Sequence, residues 1–367
     1  MKRRTWEIVG IAAATAGAAV VAAGLGATGV AMARAALGAD PAVDDGPDDL
    51  LADPEKRPGR RVVTTPDGTR LNVETYSPDD ADADTGDIVV LVHGWTCNTA
   101  YWNPQINGLA GKRTVVAYDQ RGHGRSELGR TRPTVAMLGQ DLNAVLEAVV
   151  PPGKRVILMG HSMGGMTIMS WAAQFPEKAS MVSEVVLVST AAKAVIQNHT
   201  LIPVDVPRYA RPFRPAVSKL VTSAPLPLPH TAVGARFAHY AALGPHARAS
   251  HVAFVDDMIL RCPPRARARW GSAMGKLDLT EGLAALTAPT TVIVGTEDRL
   301  TPQSHAEQIA DHLRRNGNLR DLVVLDDIGH MASIEAAERV NVILDDVIGR
   351  AGQAVPSSDE DTVATRA

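Results

Sequence analysis

The chain has 367 residues, a formal net charge of −3, 45% hydrophobic residues and only 4% aromatic ones. That is ample for one large core packed by aliphatic side chains, and it lacks the broad positive field of a nucleic-acid-binding protein, so no nucleic-acid partner is expected. Two cysteines, Cys97 and Cys262, stand far apart in no metal-like or redox-like spacing, which excludes a disulfide framework and a zinc site but not a single bridge.

At the amino terminus Lys2, Arg3 and Arg4 precede an uncharged run over 8–33. About 20 apolar residues span a bilayer, but Gly and Ala make up much of this run, so three readings compete over 1–38: an uncleaved signal anchor, a cleaved signal peptide with Ala31-Met32-Ala33 as its cleavage site, and a soluble Ala-rich helix. Basic residues before the run and Asp40, Asp44, Asp45, Asp48 and Asp49 after it orient an anchor with its amino terminus inside. The first two readings make the protein membrane-anchored with an extracytoplasmic catalytic domain, or secreted; the third leaves it cytoplasmic. Residues 39–59 mix acid with Pro41, Pro47, Pro54 and Pro58 and read as a linker.

Short β-prone runs at 61–65 and 71–76 flank the turn Pro66-Asp67-Gly68. Continuous aliphatic runs follow at 88–92, 115–118, 156–159 and 185–188, as expected of parallel strands buried on both faces. Helical spacing over 133–149 and 163–175 separates them. The alternation stops over 191–286, a stretch rich in proline in its first half, where basic residues outnumber acidic ones. The bulk of those charges fits solvated helix faces; a functional alternative is a surface for anionic headgroups or an acidic substrate. Alternation resumes with a strand at 291–294, a helix with Thr301 as N-cap and Pro302 in its first turn, a strand at 322–325 and a closing helix over 333–349. The predicted division is therefore a core of 60–190 and 287–350, a cap insertion of 191–286, and a frayed tail of 351–367.

Gly160-His161-Ser162-Met163-Gly164 follows the strand at 156–159 and opens a helix. Such a turn exposes a serine hydroxyl at the strand's carboxyl end, with Gly160 and Gly164 where side chains would collide with neighbouring backbone. A serine nucleophile needs a base and a carboxylate to orient it. Asp298, in Gly295-Thr296-Glu297-Asp298, and His330, in Gly329-His330, both follow later strands and so reach the same sheet edge. Glu297 is chemically equivalent to Asp298 and adjacent to it, and remains the alternative acid. For the oxyanion, the N–H of Met163 at a helix start and that of Trp95 after His93-Gly94 are the candidate donors. Of eleven histidines, His93, His123 and His161 read as structural. Asp119 ends a strand, and with Arg121-Gly122-His123-Gly124 after it reads as a carboxylate that binds backbone N–H groups of a turn.

With these motifs in order, residues 60–350 resemble the α/β-hydrolase superfamily, esterase and lipase-like branch. The resemblance implies an α/β fold with a mostly parallel eight-stranded sheet, helices on both faces and an inserted cap. It also implies a serine hydrolase that needs no cofactor and acts on a small-molecule ester or lipid, with membrane association following from the anchor reading. Cofactor-free haloperoxidase or perhydrolase chemistry, amide or carbon-carbon hydrolysis, and a non-catalytic binding protein are its rivals, since one fold hosts many chemistries.

Overall fold

Eight strands form one sheet in the order β1-β2-β4-β3-β5-β6-β7-β8: Gly59–Thr64, Arg70–Tyr76, Ile88–Val92, Val115–Tyr118, Val156–His161, Val182–Val188, Thr290–Gly295 and Leu319–Leu325 for β1 to β8. The computed structural model describes residues 26–351 except 32, 39–41, 45, 81–85, 110, 196–198, 202–210, 214–215, 218–221, 224 and 226–230. β2 runs antiparallel to both β1 and β4, while β4, β3, β5, β6, β7 and β8 pair with one another in parallel. The uninterrupted aliphatic run of β3 follows from burial on both faces: Val90 and Val92 join one core, Val89 and Leu91 the other.

The first core lies under α2 (Val135–Val149), α3 (Met163–Gln174) and α8 (Gln303–Asn316); the second lies under α1 (Asn103–Leu109) and α10 (Ala337–Ala351). Between β6 and β7 the chain forms α4 (Ala232–Ala242), α5 (Ala249–Arg261), α6 (Pro264–Met274) and α7 (Thr280–Ala285). The last of these differs from a simple cap. Leu279, Leu283 and Leu286 join the first core beside Met169, and Gly282 lies against the Met169 carbonyl, so α7 is a layer of the core.

Two sequence expectations change. Pro302, not Thr301, occupies the N-cap of α8, and the closing segment is two helices, α9 (Ala332–Glu335) and α10, broken at Ala336. A third concerns the supposed linker, whose described residues are built into the protein. Val43 forms a parallel bridge with Arg248; its N–H donates to Ala247 O at 3.0 Å, and its carbonyl accepts from Ala249 N at 2.7 Å. Asp48 caps a 3-10 turn over Asp49–Leu51 and receives His251 Nε2 at 2.9 Å, while Leu51 is buried in the second core. Apart from this short turn, the Pro-rich segment draws its hydrogen bonds from the neighbouring insertion and from α1.

Among the described residues no helix is long and apolar enough to cross a membrane. The apolar run over 8–33 lies for the most part outside the described residues, as does the tail over 352–367.

Candidate active site

β5 passes into α3 with a single residue between them. That residue is Ser162, held at φ 52° and ψ −115°, a left-handed φ that costs a non-glycine residue about 1–3 kcal/mol and persists only where surroundings fix it. Here they do so by hydrogen bonds: Ser162 N donates to Val188 O at 2.9 Å, and Thr190 Oγ1 donates to Ser162 O at 2.7 Å. A Cβ on Gly160 would stand 2.6 Å from the Gly164 and Gly165 backbone, and one on Gly164 would strike the Val92 carbonyl. The flanking glycines thus permit the tight turn that the motif predicted. Met163 opens α3, so its N–H has no acceptor within the helix.

The loop after β3 lies directly against this elbow. A Cβ on Gly94 would come within 2.6 Å of His161 Nδ1 and 3.2 Å of Ser162 Cβ. His93 braces the loop: Gln120 N donates to His93 Nε2 at 3.0 Å, so Nδ1 carries the proton and donates to Gly94 O at 2.7 Å. Burial holds the His93 imidazole neutral, with its pKa lowered to about 4. Trp95 follows, its indole N–H donating to Arg267 O of α6 at 3.0 Å, and Thr96 completes the turn at φ 67°.

Asp298 follows β7 and His330 follows β8. His330 Nδ1 lies 2.9 Å from Asp298 Oδ2 and 3.0 Å from Oδ1, both side chains being buried. A carboxylate accepts only, so Nδ1 bears the imidazole proton and Nε2 is left as the basic nitrogen. Asp298 also accepts from Leu300 N at 2.9 Å, Thr301 N at 2.8 Å and the Thr301 hydroxyl at 2.8 Å, which fix the orientation of its carboxyl group. Glu297, by contrast, turns to Arg299 at 3.3 Å. Geometry therefore distinguishes two adjacent acids that sequence leaves equivalent.

His161 stacks on Tyr101, ring centroids 4.3 Å apart, and its Nε2 donates to His330 O at 3.0 Å; the His161 and His330 ring centroids are 4.8 Å apart. Ser162, Asp298, His330, Trp95, Met163, His93, Gly94, Gly160 and Gly164 thus gather at the carboxyl edge of the parallel strands. Asp119 does not join the acid-base pair. Its oxygens accept from Thr99 N at 2.9 Å, Arg125 N at 2.9 Å and Asn72 Nδ2 at 3.0 Å, which fixes the turn after β4.

Thr301 is the residue that sequence reasoning misplaced. Read as a helix cap, it places its hydroxyl on Asp298 and 3.3 Å from His330 Nδ1. The spacing Asp298-Leu300-Thr301, an Asx-type turn in which one carboxylate serves the N–H groups two and three residues on, was the available signal.

The alpha/beta hydrolase fold family profile matches residues 87–337. The chain belongs to the α/β-hydrolase family. It is 31% identical over 289 residues, 76% of this chain and 96% of the relative, to RutD of Variovorax paradoxus, whose name proposes carbamate hydrolysis. A non-heme chloroperoxidase of Burkholderia pyrrocinia is 27% identical over 70% of this chain and 89% of its own length. Among solved structures, an esterase from Thermogutta terrifontis superposes with a TM-score of 0.62 at 22% identity, covering 80% of this chain and all of that one. Membership of this family supports a hydrolase activity; its curated relatives include, beside the RutD protein, a 3-oxoadipate enol-lactonase of Acinetobacter baylyi.

Proposed function

We propose that this α/β-hydrolase cleaves carboxylic esters through an acyl-enzyme, with Ser162 as nucleophile, His330 as general base and Asp298 as the carboxylate that orients the base. The observation that carries the reading is the Asp298–His330 pair at 2.9 Å, beside a serine held at φ 52° between strand and helix. Ser162 Oγ attacks the acyl carbon as its proton passes to His330 Nε2, and the carbonyl oxygen becomes an oxyanion that the Trp95 and Met163 N–H groups receive. Collapse expels the alcohol, which takes the proton from His330. Water then repeats the sequence at the acyl-enzyme, releasing the acid and restoring Ser162.

The proposed substrate is a small ester with a hydrophobic acyl group. Relation to the chloroperoxidase of Burkholderia pyrrocinia supports a second reading, in which hydrogen peroxide replaces water as the acyl acceptor on the same residues.

The test is ester turnover by purified Ser162→Ala, His330→Ala and Asp298→Asn beside the parent. Ser162→Ala and His330→Ala should each remove nearly all turnover, roughly 10⁶-fold, and their combination should cost little more. Asp298→Asn should lose about 10⁴ in kcat because the imidazole is left in the wrong tautomer. Covalent labelling of Ser162→Ala by an organophosphonate, or near-parental turnover by His330→Ala, overturns the assignment. Adding peroxide to the parent and assaying peracid separates the two acceptors.

A further inference from the structure

Glu335, the last residue of α9, takes no part in the chemistry above, yet its carboxyl bridges two backbone segments from different parts of the fold. Gly329 N donates to Oε1 at 3.1 Å, and Gly244 N donates to Oε2 at 2.6 Å. Gly329 immediately precedes His330, while Gly244 lies in the turn that joins α4 to α5 in the insertion. The two segments touch backbone to backbone. A Cβ on Gly329 would stand 2.5 Å from Gly244 N, and one on Gly244 would strike the Asp327 carbonyl.

The backbone N–H of His330 is held from this side. Its N–H donates to Ala242 O at 2.9 Å, and Met331 N reaches the same carbonyl at 3.2 Å. Ties to the core are the His330 carbonyl, which accepts from His161 Nε2 at 3.0 Å, and, further back in the loop, Asp327 N donating to Thr296 Oγ1 at 3.0 Å and Glu297 N donating to Ile328 O at 2.9 Å.

We propose that Glu335 is a positioning residue for His330, its buried carboxyl group fixing the peptide before the imidazole against the Gly244 turn and so tying the base's placement to the seating of the insertion. The inference rests on His330 being the base. Its physical content is that the imidazole must face Asp298 with one nitrogen and Ser162 with the other. A displacement of about 1 Å in such a relay costs about 10² in rate. Both partners of Glu335 are N–H donors, so an amide of the same shape satisfies one and confronts the other with its own NH₂.

The experiment compares the full-length parent, Glu335→Gln, Glu335→Asp and His330→Ala on p-nitrophenyl butyrate. Turnover is normalised to active sites titrated with a fluorophosphonate. Glu335→Gln should lose 10- to 100-fold in kcat per titrated site, with KM within about threefold of the parent, and the low-field resonance of the His330 Nδ1 proton should move or broaden. Glu335→Asp keeps both acceptor oxygens on a shorter stem and should recover part of the loss.

Parental kcat per titrated site in Glu335→Gln, whatever its melting temperature, overturns the proposal. So does failure of both Glu335 variants to yield any titratable site, which would assign the residue to folding alone. An inactive His330→Ala beside a parental Glu335→Gln refutes the clamp only, whereas an active His330→Ala refutes the reading of the site itself.

Discussion

At the scale of single residues, the site is organised by groups whose hydrogen bonds leave them one orientation. Asp298 has four donors around two oxygens, and Thr301 contributes two of them while touching the imidazole nitrogen that Asp298 holds. Thr301→Val keeps the shape and removes the hydroxyl. A hydrogen bond to a charged group is worth about 1.5–3 kcal/mol, so kcat should fall about tenfold or more with KM little changed, and Thr301→Ser should restore it. Equal kcat for Thr301→Val and the parent in steady-state assays would show that the backbone N–H groups suffice. His93 gives a prediction about pH. Buried and doubly bonded, it has a folded-state pKa of about 4 against an ordinary 6.5, so the unfolded chain binds its proton first as pH falls. Its contribution to stability is therefore complete above pH 6.5 and is lost as pH drops toward 4. Against a folded His93→Gln variant, the parent's advantage in melting temperature should shrink across that window, as measured by calorimetry at half-unit steps; a difference independent of pH would refute a neutral buried imidazole. The nucleophile turn was legible in the sequence because its constraints fall within five consecutive residues, from Gly160 to Gly164. Thr301 and Glu335 were not, because their partners are a carboxylate whose orientation a string of letters does not give and an N–H group 91 residues away.

Elements were legible where burial alone decides them. The runs of β3 and β4 match their strands end for end because both faces are covered and every residue is apolar. Edge strand β8 begins at Leu319, earlier than its aliphatic run: Leu319 and exposed Asp321 pair with Thr290 and Thr291, while Arg320 stands at the register shift between them and reaches Glu184 at 3.2 Å. The segment before β1 shows the opposite limit. Composition reports that it cannot satisfy its own backbone, and is silent about Asn103 and Asn107 of α1, whose side-chain amides donate to Leu51 O at 3.1 Å and to Leu50 O and Ala52 O at 3.1 and 3.0 Å. Asp48 is the hub of this strap, joining Leu50 N at 3.0 Å, His251 at 2.9 Å and Arg248 at 3.3 Å. Asp48→Ala removes all three partners and leaves His251 buried without its acceptor, a loss of about 1–3 kcal/mol. Amide exchange in the peptide covering 46–52 should rise, and the melting temperature should fall by a few degrees. Unchanged protection of that peptide would mean that Leu51 and the two asparagines hold the strap unaided.

At the scale of the whole molecule, a sheet with one large insertion was readable from the break in strand-helix alternation after 190, but how the insertion engages the core was not. Its fastenings to the rest of the chain include three hydrogen bonds. Trp270 Nε1 donates to Arg121 O at 2.7 Å, Trp95 Nε1 donates to Arg267 O at 3.0 Å, and Ala242 O receives the His330 N–H. Two of these fastenings belong to the loops that carry the proposed oxyanion donor and the proposed base, so under the proposed function the seating of the insertion is expected to bear on which acyl chains fit. Trp95→Phe tests this with little loss of buried aromatic area: it removes the indole donor while the backbone N–H assigned to the oxyanion stays. Freed from the Trp95 loop, α6 should shift relative to Ser162, changing the depth available to an acyl group. A methylene gained or lost in a hydrophobic pocket is worth about 1–3 kcal/mol, so kcat/KM across p-nitrophenyl esters of increasing chain length should be redistributed by about tenfold or more between the shortest and longest acyl groups. Loss of the oxyanion donor would instead lower every ester by the same factor, about 10² to 10³. A uniform drop in the Trp95→Phe series would therefore place the effect in the oxyanion loop and remove the insertion as the selector of chain length, whereas a tilted profile with fluorophosphonate labelling of Ser162 preserved would assign that selection to the contact between α6 and Trp95.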